Sequence, residues 1–314
     1  MKKKYLMLVA LILGLLLCSC GEEISEMKKD SVDPSVSVDV SSVDPASRAL
    51  ELREIIDQVP GEEKLTTFGE WVPGEDLLDQ VKEATATITD QGHDLGYLMI
   101  DVETGCGVGF NVDKILCSQS TIKGPYVASM YEAHPESFAD HEDRIRMTLK
   151  YSDNDSYAFL RQTYLSDCLK GWIETTGVRK EIGKSLYTQY SAREFAKLWT
   201  EMFRFFASCE NQTLTDYYIG SKFSCVYEEL GTEYTVHSKA GWEDGRYGSG
   251  PDPLPEYLDK NPYNDEVATN DGALVSTPNG DYILVILSDV CSDTAPLRPL
   301  VRALDNLLKN GCYE

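Results

Sequence analysis

The chain has 314 residues, 42% of them hydrophobic, enough to bury a sizeable core, and its first fifty read differently from the rest. A formal charge of −23 makes nucleic acid an unsuitable partner and argues against direct adsorption to anionic lipid. The four histidines are scattered and no Cys-x-x-Cys occurs, so no metal and no cofactor are expected.

Lys2 to Lys4 precede an uncharged run from Tyr5 to Ser19, the layout of an export leader and too short to span a bilayer comfortably. The run closes on Leu17-Cys18-Ser19-Cys20, which resembles the lipobox of bacterial lipoproteins. That resemblance implies a leader over 1–19, lipidation of Cys20, and an extracytoplasmic protein held to the membrane by an N-terminal lipid anchor. Plain cleavage near the same point is the alternative. Residues 20–47, rich in Ser, Val, Asp and Pro with almost no aromatics, cannot bury enough apolar area to order themselves and read as a tether. Beyond Cys18 and Cys20 the cysteines are Cys106, Cys117, Cys168, Cys209, Cys225, Cys291 and Cys312. Seven is odd, so at least one thiol stays free or pairs between chains, and the pairing is not readable from spacing.

Ordered structure is expected from a helix over Ala46 to Val59, then a helix over Glu75 to Thr89, both from apolar residues at helical spacing. GYLMIDVETGCGVGFNVD alternates like two strands turning through Glu103-Thr104-Gly105. The middle of the chain is helical and includes an amphipathic stretch from Ala192 to Phe206 with Ser191 as its N-cap. TEYTVHSKAGW, DGALVSTP and DYILVILSD read as three late strands, and a helix over about Ala295 to Lys309 closes the chain. This order predicts an α+β domain over 48–314: a five-stranded antiparallel sheet flanked by N- and C-terminal helices. Its sheet lobe spans about 75–119 and 230–314, and the helical lobe of about 120–229 is inserted. A cleft is expected between such lobes. The segment 243–270, rich in Gly, Pro, Asp and Tyr, is expected to loop beside it.

Ser120-Thr121-Ile122-Lys123 follows the strand pair. A serine alcohol is a poor nucleophile at neutral pH, and a lysine one turn on can serve as its base if burial and a neighbouring cation depress its pKa. The spacing alone is weak, since Ser25-Glu26-Met27-Lys28 repeats it in the tether. Two further groups strengthen it. Ser152-Asp153-Asn154, between two helical stretches, offers a hydroxyl for proton relay and an amide for a substrate, while Lys239-Ala240-Gly241 lies on a late strand. There Lys239 can hold a positive potential, and Gly241 lets a substrate approach the backbone. Lys309-Asn310-Gly311 matches the same loose pattern but follows the last helix.

Serine-x-x-lysine, Ser-Asp-Asn and Lys-Thr-Gly in this order are the signature of class A β-lactamases and penicillin-binding proteins, and the chain resembles that family over about residues 75 to 312. The resemblance implies Ser120 as nucleophile, Lys123 as general base, Ser152 as proton relay and Lys239 as electrostatic support. Asn154, Ala240, Gly241 and Trp242 would meet the substrate, and the backbone N–H groups of Ser120 and Trp242 would form the oxyanion hole. The implied ligand is a β-lactam or a peptidoglycan peptide, handled by a monomer.

Three departures qualify it. Only 32 residues separate Ser120 from Ser152, so the helical lobe is shortened. The stretch RKEIGKSLYTQY lacks the Glu-x-x-x-Asn pattern that activates the deacylating water, Glu181 being its only acid. Ala240 replaces the usual hydroxyl, with Ser238 or His237 as conceivable substitutes. Together they point to acylation with slow deacylation, and they keep open the alternative of a catalytically silent binding lipoprotein for cell-wall or peptide ligands.

Overall fold

The computed structural model describes residues 44–244 and 266–312. The expected leader, Cys20, nearly all of the tether and most of the 243–270 segment lie outside the described residues.

Helix α1 (Pro45–Gln58) starts where the Asp44 side chain accepts from Ser47 N, with proline at the position that needs no N–H donor. After β1 (Thr66–Phe68) comes α2 (Glu75–Thr89), with the bounds its apolar spacing predicts. β2 (Leu95–Asp101) and β3 (Gly107–Phe110) form the expected hairpin. β4 (Leu116–Cys117) leads into a 3-10 turn over Gln119–Ile122 that runs directly into α3 (Lys123–Ala133). The helical layer continues with α4 (Glu136–Lys150), α5 (Asn154–Tyr164) and α6 (Asp167–Thr176). β5 (Gln189–Tyr190) pairs with β4 as a two-stranded ribbon. Next is α7 (Ala192–Ser208), whose start is a full capping box: Ser191 Oγ accepts from Glu194 N, and Glu194 accepts from Ser191 N. Short helices α8 (Gln212–Asp216) and α9 (Cys225–Leu230) precede β6 (Thr235–Glu243), β7 (Ala268–Thr277), β8 (Gly280–Ser288) and α10 (Arg298–Gly311).

The sheet has six strands in the order β1-β3-β2-β8-β7-β6, all antiparallel pairs, one more than the sequence predicts. The extra strand is β1, too short at three residues to leave an alternating signature. Alternation splits the core into two layers. Leu98, Ile100, Ile283, Val285 and Leu287 face α1, α3 and α7, while Tyr97, Met99, Leu284 and Ile286 face α2, α9 and α10. The N-terminal helix α1 therefore packs on the same side as the helical layer, and α2 joins α10 on the other.

β6 is the edge strand opposite β1, and this places the site. Ser238 N donates to Tyr218 O at 2.9 Å and Ala240 N to Ser221 Oγ at 3.5 Å, both pointing away from β7. An antiparallel ladder alternates, so the Trp242 N–H points off the same free edge.

Candidate active site

Each of the three short motifs is set by local structure. Ser120 sits in the 3-10 turn preceding α3, immediately after Gln119, a non-glycine residue at φ 46°. Ser152 is itself at φ 59°, in the bend between α4 and α5, where Asp153 caps α5 by accepting from Ser156 N at 2.8 Å. Left-handed backbone at such residues costs on the order of 1–3 kcal/mol, and here it flanks both candidate hydroxyls. On β6, a Cβ at Gly241 would lie 2.7 Å from the backbone nitrogens of Ser120 and Thr121 and 2.8 Å from Ser118 O. Only glycine lets the strand edge come this close to the turn that carries Ser120.

These residues converge. Lys123 Nζ donates to Ser152 O at 2.7 Å and to Asn154 Oδ1 at 2.6 Å, and lies 3.4 Å from Ser152 Oγ. Lys239 Nζ donates to Ser152 Oγ at 3.0 Å and to Ala240 O at 2.6 Å. Ser152 thus joins the two lysines. Both lysines are completely buried, whereas Ser120 and Ser152 keep 9% and 8% of their surface. Both serines are therefore nearly buried, with a small residual exposure that the two lysines lack.

Electrostatics follow from that burial. Desolvation, and then the charge of Lys239, hold Lys123 well below the usual lysine range, with Asp153 opposing. Desolvation lowers Lys239 to about 7 against the pull of Asp271. Asp271, buried on β7 and accepting from Ser224 Oγ at 2.6 Å and Val226 N at 3.0 Å, is raised by burial to about 7.

Among the described residues no hydrogen bond joins Ser120 Oγ to Lys123 Nζ, although their spacing suggested a direct contact. The buried amine satisfies itself on the carbonyl oxygens of Ser152 and Asn154. A neutral amine has two N–H bonds, and those two acceptors match them, which leaves the nitrogen lone pair for a proton.

Other expectations resolve as follows. Trp242 is half-buried, its ring stacked on Phe223 at 4.7 Å with Lys239 Nζ 5.9 Å away. Ala240 is wholly buried. Neither proposed substitute for its missing hydroxyl reaches the site: Ser238 Oγ is buried without a partner, and His237 packs on Phe206 at 4.6 Å. Glu181 pairs with Lys184 at 3.2 Å, its side chain two-thirds exposed, so it contributes no carboxylate beside Lys123. The same stretch instead delivers Tyr187, whose hydroxyl donates to Asn154 Oδ1 at 2.7 Å and whose ring centre is 5.6 Å from Lys123 Nζ. Nothing in the sequence marks Tyr187, because a single tyrosine in an irregular stretch has no periodicity to betray its direction. A cavity of about 140 Å³ lined by Tyr234, Thr277, Tyr282 and Lys309 shares no residue with this group.

No protein-family description and no curated protein matches the chain. Solved structures do. A β-lactamase from Sphaerobacter thermophilus superposes with a TM-score of 0.56 at 15% identity, covering 73% of this chain and 96% of that one. The class A β-lactamase from Clostridium kluyveri gives 0.54 at 14%, over 74% and 99%. A variant of a reconstructed class A β-lactamase, that of the last common ancestor of Gram-negative bacteria, gives 0.52 at 16%, over 71% and 96%. The chain therefore has a β-lactamase-like fold.

Proposed function

We propose that the protein is a serine acyl-enzyme former that reacts with β-lactams or cell-wall peptides at the outer face of a bacterial membrane, tethered through lipidated Cys20, and that it deacylates slowly. The observation that carries this reading is Ser152 bridging two fully buried lysines, with Ser120 on the turn that leads into the Lys123 helix.

In this mechanism Ser120 Oγ attacks the carbonyl carbon, and the lone pair of neutral Lys123 takes its proton. The carbonyl oxygen, now negative, accepts from the N–H groups of Ser120 and Trp242. Ser152 Oγ accepts from Lys239, so its own hydrogen is free to pass to the departing nitrogen, and Lys123 can replenish it. The bond from the carbonyl carbon to that nitrogen breaks, leaving an ester on Ser120.

Slow deacylation is supported by the outward position of Glu181. With no carboxylate from that stretch to activate water, the ester persists. A chromogenic cephalosporin should give one burst stoichiometric with protein, and Glu181→Gln should leave it unchanged. Sustained turnover would contradict slow deacylation while leaving acylation intact.

A second reading, a silent binding lipoprotein, draws on the missing Ser120–Lys123 hydrogen bond and on the wholly buried Ala240. A fluorescent penicillin separates the two: covalent labelling lost in Ser120→Ala supports the enzyme, and no labelling of a folded wild type supports the binder.

A further inference from the structure

The seven described cysteines are all unbridged, but two of them share a hydrogen-bond partner. Cys106 closes the tight turn between β2 and β3, where its backbone N–H donates to Thr104 Oγ1 at 3.1 Å. Cys312 follows the last residue of α10, its N–H donating to Leu308 O at 3.0 Å. The Cys312 sulfur lies 3.3 Å from the same Thr104 hydroxyl, so one side chain bonds the backbone of Cys106 and the thiol of Cys312 and brings the two cysteines to one place.

We propose that Cys106 and Cys312 form a disulfide when the protein is oxidised, fastening the end of α10 to the β2–β3 turn. The turn holds Cys106 in place: Asp101 Oδ1 accepts from Thr104 Oγ1 at 2.7 Å and from Thr104 N at 2.6 Å. The other partner follows α10 directly, half-buried against the core layer of α2 and α10.

The chemistry needs an oxidant, and a small-molecule disulfide such as oxidised glutathione supplies it. The Cys312 thiolate, the more accessible of the two, attacks one glutathione sulfur, the S–S bond breaks and one glutathione thiolate leaves. Cys106 loses its proton and attacks Cys312 Sγ, expelling the second glutathione thiolate. Two protein thiols are oxidised by two electrons, and one disulfide is reduced to two thiols. Burial raises the Cys312 thiol to about 11, so closure should speed up as pH rises from 7 to 10. Because the bridge closes most of the folded chain into one loop, it restricts the unfolded state strongly.

The test uses the full chain, incubated with and without oxidised glutathione, alkylated under denaturing conditions and digested without reduction. The expected result is a linked peptide pair containing Cys106 and Cys312, two hydrogens lighter than the sum of its parts. A thermal midpoint on the order of 5 °C higher than in the reduced protein should accompany it. Cys312→Ser and Cys106→Ser should each abolish the linked pair and its thermal gain. Complete alkylation of both cysteines after oxidation, or linkage of either to a different cysteine, would overturn the proposal, and wild-type mapping alone decides this even if a variant fails to fold.

Discussion

Ser152 Oγ stands 3.0 Å from Lys239 Nζ and 3.4 Å from Lys123 Nζ, so one hydroxyl couples an amine positioned to be a base with another positioned to be a charge. The two lysines are not equivalent. Lys123 is depressed by burial and additionally by its cationic neighbour, whereas Lys239 is depressed by burial and propped up by Asp271. The assignment of base and charge rests on that difference.

Replacing Lys123 by methionine keeps the buried stem and removes the lone pair. Acylation by a penicillin should fall by about 10²–10⁴-fold, with the fold retained by circular dichroism. A loss under threefold would show that another group accepts the Ser120 proton.

The pH dependence has a definite sign. Lys239 must be protonated to act as a charge, and its pKa is lowered to about 7, so acylation should decline above about pH 7, approaching tenfold per unit. Lys123 must be neutral, and its depressed pKa puts that condition at lower pH than an ordinary lysine would require. Stopped-flow acylation rates across pH 5 to 10 test this. A rate that climbs steadily to pH 10 would assign both lysines ordinary values and remove the base.

Tyr187→Phe deletes only the hydroxyl that donates to Asn154 Oδ1. That hydrogen bond helps keep the carboxamide oxygen turned toward Lys123, leaving the amide N–H₂ for a ligand. Losing it should weaken acylation about fivefold, for a bond worth about 1 kcal/mol, while the thermal midpoint changes little. An unchanged acylation rate would remove Tyr187 from the site.

Gly241→Ala puts a methyl group 2.7 Å from the Ser120 and Thr121 nitrogens, which are backbone atoms that cannot rotate aside. The strand edge must retreat from the turn, so acylation should drop by at least about tenfold, since small displacements at a reacting centre are costly. Wild-type acylation in this variant would mean that the close approach is dispensable.

How far the sequence discloses all this depends on the length of the signal. α2 is legible to the residue and α7 nearly so, because each repeats its apolar face over four turns and Ser191 with Glu194 spells out a cap. β1, β4 and β5 are not, since two or three residues hold no period and their pairing is decided by distant partners. Ser120, Lys123, Ser152, Asn154, Lys239 and Gly241 are legible as short motifs, and the fold gathers them at the edge of β6. Tyr187, Asp271 and the Thr104 hydroxyl shared by Cys106 and Cys312 are invisible in the sequence, as each depends on contacts across tens of residues or more.

The most direct test of the central claim is intact-mass analysis of the protein after exposure to a penicillin, followed by peptide mapping of any adduct. A mass gain equal to one whole penicillin, mapped to Ser120 and persisting through the preparation, is the predicted result. No gain in a folded sample, or an adduct on any other residue, would contradict it.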